Sequence, residues 1–151
     1  MPLLEDFTLP LHTQLHILVY LMEQTRPIGS KAASPCEELV DTIVKGIQEK
    51  KGKGIVVADL EGIDGTICRY FVVCQGNSPS QVEAIAESVG DMVREGLHEK
   101  PMRVVGLENA LWVAMDYGDV LVHVFVPDMR QYYDLEHLWA DAKLTRIEDL
   151  D

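Results

Sequence analysis

Apolar residues recur along the chain with two periods, and the switch between them marks out its elements. Leu39, Val40, Ile43, Val44 and Ile47 return every three or four positions and predict a helix. Ser34 suits its cap, Pro35 its first turn and Glu37 the third residue of a capping box, while Lys50-Lys51-Gly52-Lys53-Gly54 closes it. Val82, Ile85, Ala86, Val89, Met92, Val93 and Leu97 predict a second, longer helix that opens at Ser78-Pro79-Ser80-Gln81 and runs to about Glu99, ahead of Pro101. Between the helices, 55–60 and 70–75 are continuous apolar runs separated by a turn with Gly62, Asp64 and Gly65, the pattern of strands covered on both faces. Strands follow at 102–105, 111–117 and 120–126, the last two joined by the two-residue turn Gly118-Asp119. A final helix is expected from Asp128, with Gln131 at its third position, through Tyr132, Leu135, Leu138 and Trp139; the polar residues 144–151 read as a frayed acidic tail. The order α-β-β-α-β-β-β-α predicts an α/β domain with a mixed β-sheet flanked by helices. It occupies 35–143. Residues 1–34 stand apart as an extension, with a third stripe at Leu11, Leu15, Leu18, Val19 and Met22 and a linker over 26–34.

Composition changes this picture in one respect. With 151 residues and 47% hydrophobic content the chain fits one globular domain, but its net charge of −12 argues against direct nucleic-acid binding, which rests on clustered Lys and Arg. A basic protein partner suits it better. The apolar run 17–22 is too short to cross a bilayer, and Glu5 and Asp6 stand where a secretory signal would be basic, so no membrane association and a cytoplasmic location are expected. Cys36, Cys68 and Cys74 form neither an even set nor a C-x-x-C pair. Cys74, inside an apolar strand, reads as a small buried hydrophobe. His12 and His16, four apart, lack a clear third ligand, and neither a metal nor another cofactor is expected.

The richest chemistry lies between 112 and 139. An enzyme reading pairs Asp116 or Asp119 with His123 for acid-base work, and adds Gly76-Asn77-Ser78 as an anion cradle at a helix N-terminus. This nucleotidyltransferase-like or nucleotide-binding alternative lacks a supporting motif: the chain has no nucleophile elbow, P-loop or metalloprotease helix. A binding reading uses the same residues as interface material. Trp112, Ala114 and Asp116 alternate onto one strand face and Leu111, Val113 and Met115 onto the other, so Trp112 and Asp116 project together if their face is uncovered. Leu121, His123 and Phe125 share a face of the next strand, which favours a structural histidine; the plainest reading makes Trp112, Tyr133 and Trp139 core aromatics.

Four segments carry a resemblance: G-I-Q-E-K-K-G-K-G-I-V-V-A-D-L (46–60), Y-F-V-V-C-Q-G-N-S-P-S-Q-V-E-A-I-A (70–86), W-V-A-M-D-Y-G-D-V-L-V-H-V-F (112–125) and Y-Y-D-L-E-H-L-W-A-D-A (132–142). Together they resemble the ribosomal silencing factor, or Iojap, family over residues 36–143. The resemblance implies a nucleotidyltransferase-like fold without the catalytic carboxylates, and a non-enzymatic factor that often forms homodimers. It further implies binding to the large ribosomal subunit through ribosomal protein fourteen, a block on joining of the small subunit, and lowered translation when nutrients are short. Carried over by position, the partner-facing residues are Trp112, Asp116, Gly118, Asp119, His123, Tyr133 and Glu136. Arg69 and Cys74-Gln75 depart from the usual family pattern, and 1–33 exceeds the usual family start.

Overall fold

The computed structural model describes residues 36–61, 68–134 and 142–150. The amino-terminal stripe with His12 and His16, the Ser34 cap, the 62–65 turn, and Leu135, Glu136, Leu138 and Trp139 lie outside the described residues. The described elements run α1 (Cys36–Glu49), β1 (Lys53–Asp59), β2 (Tyr70–Gln75), α2 (Pro79–Leu97), β3 (Arg103–Val105), β4 (Trp112–Asp116), β5 (Val120–Phe125), α3 (Pro127–Tyr133) and β6 (Lys143–Ile147). The six strands form one sheet in the order β3-β4-β5-β2-β1-β6. Only β2 and β5 pair in parallel; β3–β4, β4–β5, β1–β2 and β1–β6 are antiparallel.

Both central strands are buried on both faces, as their uninterrupted apolar runs require. On one face Ile55, Val72, Cys74, Val113, Met115, Val120, Val122 and Val124 pack under α1 and α2. On the other, Ala58, Phe71, Val73, Ala114, Leu121 and Phe125 form a second layer with Trp112 and with Tyr133 of α3. Cys74 is fully buried, and burial pushes its thiol up to about 12, so it stays a protonated apolar filler.

The α2 start is a reciprocal cap: Gln81 N–H donates to Ser78 Oγ (3.2 Å) and Asn77 N–H to Gln81 Oε1 (2.7 Å). The same Gln81 amide donates to the Lys50 and Lys51 carbonyls, tying the start of α2 to the end of α1. That end is a Schellman turn, with Lys51 left-handed and Gly52 N–H donating to Ile47 O (3.0 Å). The turn at Gly118-Asp119 places φ +91 at Gly118, the first central position, where a II′-type hairpin favours glycine.

Three expectations differ from the structure. The last helix starts at Pro127, with Val126 as a cap that makes no side-chain bond, because the fixed φ of Pro127 suits the first helical position. The α2 helix stops at Leu97, since His98 turns left-handed (φ 58) and donates its N–H to Arg94 O. The polar end of the chain is also no frayed tail within the described residues. β6 pairs along β1, Lys53 Nζ donates to Leu150 O (3.0 Å) and Gly54 N–H to Asp149 Oδ1 (2.8 Å).

The α1–α2 contact hinges on Gly46. A Cβ there would stand 2.8 Å from Val89 Cα, and Ser88 Oγ donates to Gly46 O at 2.7 Å. Gly46→Ala gains about 1 kcal/mol in helix propensity but forces two backbones apart, an overpacking cost of about 1–3 kcal/mol. A net loss of stability is expected, read as a lower urea midpoint with an unchanged slope.

Candidate functional site: an aromatic layer and a carboxylate turn

The β4–β5 register decides which candidate residues meet. Trp112 pairs with Phe125, Ala114 with His123 and Asp116 with Leu121, and all six are on the α3 side of the sheet. Trp112 and Asp116 therefore share a face, as their alternation requires, yet stand four residues apart, about 13 Å along the strand. Each belongs to a different group.

Trp112, His123 and Tyr133 meet in one aromatic layer. Trp112 stacks on Phe125 (centroids 5.1 Å apart) and tilts against Tyr133 (4.7 Å), while Phe71 meets His123 edge-on at 5.1 Å. Trp112 Nε1–H donates to His123 Nδ1 at 3.0 Å, so the imidazole carries its proton on Nε2, which is buried with no hydrogen-bonding partner among the described residues. Trp112 is 6% exposed, His123 1% and Tyr133 fully buried. Burial pulls the His123 pKa down to about 3, so the ring is neutral at physiological pH. It is an acceptor for the indole, the structural role its apolar neighbours suggest. Of this aromatic group, Tyr132 is the exposed member: it is 51% exposed and stands edge-on to Tyr133 at 5.0 Å. Sequence reasoning did not select it. The apolar stripe expected for this helix ran through Tyr132, whereas in α3 it is the adjacent Tyr133 that is buried.

Asp116, Gly118 and Asp119 form the second group. Asp116 is buried and its Oδ1 accepts the Gly118 N–H at 2.8 Å, bracing the turn. Asp119 is exposed; its carbonyl accepts the N–H groups of Arg69 and Tyr70, and its carboxylate accepts from Cys36 Sγ at 3.5 Å. Arg69, the departure from the family pattern, stands beside this turn and bridges Glu61 (3.1 Å) and Glu37 (3.5 Å). Glu136 lies outside the described residues.

The nucleotide-binding constellation is not assembled. Gly76 N–H donates to Phe125 O at the far end of β2, whereas Asp119 sits beside Tyr70 at the near end. Six strand residues, about 17 Å, separate the two turns. The Asn77 and Gln81 N–H groups that would hold an anion are already donated to Gln81 and Ser78 side chains. No group of three or more His, Cys, Asp or Glu side chains suited to a metal is found among the described residues.

Fold and site together define a mixed-sheet α/β domain that presents a braced carboxylate turn and an aromatic layer edged by one exposed tyrosine. The family model described as "Ribosomal silencing factor during starvation" matches residues 33–151. A ribosomal silencing factor of Halalkalibacterium halodurans is 42% identical over 113 residues, covering 74% of this chain and 94% of the relative. One from Bacillus subtilis is 46% identical over 101 residues, 66% of this chain and 83% of that protein. A crystal structure of a Chromobacterium violaceum protein superposes with a TM-score of 0.67 at 33% identity, over 71% of this chain and 88% of that one. The chain belongs to the ribosomal silencing factor family, whose name ties it to the ribosome and to the regulation of translation.

Two outcomes follow from the burial of the aromatic layer. Trp112→Ala removes its central ring and is expected to destabilise the fold by about 3–5 kcal/mol, measured by chemical denaturation. The unfolded state takes up a proton on His123 below its ordinary pKa of 6.5, and the folded state does not do so until about pH 3. The stability contributed by neutral His123 is therefore complete above pH 6.5 and is lost as the pH falls, by about 1.4 kcal/mol per unit. Urea titrations from pH 6.5 to 5 should show this slope in the native chain and a flatter one in His123→Gln.

Proposed function

We propose that this chain binds the large ribosomal subunit through ribosomal protein fourteen and sterically blocks joining of the small subunit, lowering translation in the cytoplasm under nutrient limitation. The mechanism is occupation of a surface and needs no catalysis. The observation that carries the reading is the family match, which spans every described element from α1 to β6. The net charge of −12 supports it, because an acidic factor is steered toward a basic ribosomal protein and away from rRNA phosphate.

Burial divides the proposed partner-facing set. Asp119 is exposed and Gly118 half-buried, so both can meet a partner as folded. Trp112, Asp116, His123 and Tyr133 are buried and act by holding the surface in shape, with Tyr132 presented above the aromatic layer. Glu136, two residues beyond Asp134, is proposed as a further contact. Homodimerisation belongs to the same proposal and is read from the mass of the isolated chain in solution.

Co-sedimentation with purified large subunits, followed by a subunit-joining assay, tests this directly. The native chain should sediment with large subunits, more weakly as salt is raised, and should slow joining. Absence of co-sedimentation overturns the function. Tyr132→Ala and Asp119→Arg should each weaken binding by about tenfold or more with an unchanged urea midpoint. If both variants bind like the native chain, the site assignment fails while the function stands.

A further inference from the structure

The helix-bearing face of the sheet is wider than its helices. Six strands at about 4.8 Å spacing make a face about 24 Å across, and among the described residues two helices of about 10 Å each cover about 20 Å of it. A groove of about 500 Å³ runs between α2 and the β3–β4 edge, with Ala86, Gly90, Met115, Val104 and Leu107 among its lining. A smaller one of about 350 Å³ flanks α1 on the β1–β6 side, with Val44, Val57 and Ile147 beside Asp41, Lys45 and Gln48 in its wall. The larger groove exposes the greater apolar area, and Glu87, Asp91, Arg94 and Lys100 complete its wall. Ala86 and Gly90, one turn apart on α2, leave it open, and Leu107 on its lip is 44% exposed.

We propose that the apolar stripe Leu11, Leu15, Leu18, Val19 and Met22 of this same chain docks in the α2–β3 groove as the third covering element of the sheet. Thr42 of α1 packs near Gly96 of α2, so α1 begins close to where α2 ends, and the chain preceding Cys36 enters from that end. The stretch between Met22 and Cys36 can extend over about 40 Å, ample to reach the groove. As a helix the stripe would be about 17 Å long, against about 12 Å of α2 from Ala86 to Arg94. Lying parallel to α2, it would bring Glu23 toward Lys100 and Arg94 at the entry end and His16 toward Glu87 further in. The family match begins at residue 33, so this segment is a feature of the chain beyond the family domain. It would cover the face opposite Trp112 and leave the proposed ribosomal surface free.

Hydrogen exchange on the full-length chain tests the docking. Amides of residues 11–22 should exchange about tenfold or more slowly in the native chain than in Leu107→Asp, a substitution at an exposed position, and this protection should not change on dilution. Equal rates in the two proteins overturn the proposal, and protection lost on dilution overturns it in favour of a second copy in the groove. The double variant Leu15→Asp/Leu18→Asp should speed exchange at Gly90, Arg94 and Val104. Unchanged rates there also overturn it, independently of how Leu107→Asp folds.

Discussion

Everything in this domain is registered against the parallel pairing of β2 with β5. Both strands are buried on both faces, so each residue has a fixed destination: Val72, Cys74, Val122 and Val124 under the long helices, Phe71, Val73, Leu121 and Phe125 in the aromatic layer. A slip of one residue would exchange the two sets and place rings where the helices need branched aliphatics. Parallel strands cannot be joined by a tight turn, and the crossover here includes α2 and the β3–β4 hairpin. That crossover lays α2 on one face and delivers β4 to the free edge of β5. The positions of Trp112, Asp116 and the Gly118-Asp119 turn follow from that single pairing.

Placing His123 in the apolar layer imposes a second constraint. A buried indole N–H without an acceptor would cost about 1–3 kcal/mol; Nδ1 of His123 supplies that acceptor and leaves the imidazole's own Nε2–H without a partner among the described residues. The pairing fixes the imidazole tautomer and the rotation of Trp112, and with them the wall against which Tyr133 packs. The layer is thereby rigid where the chain turns into α3. An exposed ring on a rigid base loses little conformational freedom when it meets a partner, which is the physical case for Tyr132 over a buried tryptophan as the contacting aromatic.

How much of this could be read in the residues depended on whether a signal was local. The two long helices, the strands at 55–60, 70–75 and 120–126 and the Gly118 turn each carry their own periodicity, cap or turn chemistry, and they stand as expected to within two residues. β6 carries none. Its apolar residues Leu144 and Ile147 are three apart and point to opposite faces, one into each core layer, so neither alternation nor a helical stripe appears. Its stability comes from pairing with β1, a contact between segments 84 to 92 residues apart that no local pattern encodes. The candidate site divided in the same way. Alternation placed Trp112 and Asp116 on one face, but whether that face was covered depended on α3 folding back across it, and the sequence alone left that open.

The charge can now be assigned to a surface. Glu37, Glu38, Asp41 and Glu49 of α1 and Glu83, Glu87, Asp91 and Glu95 of α2 are exposed, against Lys45 and Arg94 on the same two helices. On the β6 edge the exposed Lys143 and Arg146 are offset by the exposed Glu148 and Asp149 that follow them, so this edge is near neutral. A particle coated in phosphate would repel the helical layer most strongly and the β6 edge least. In the proposed complex the helices therefore turn away from rRNA, toward solvent or a basic protein, while the sheet edges lie nearer the particle. That orientation leaves the face carrying α3, Tyr132 and the Asp119 turn free to approach a ribosomal protein. An acidic chain is thus compatible with a partner embedded in RNA, because its charge sets which side may approach and does not forbid approach.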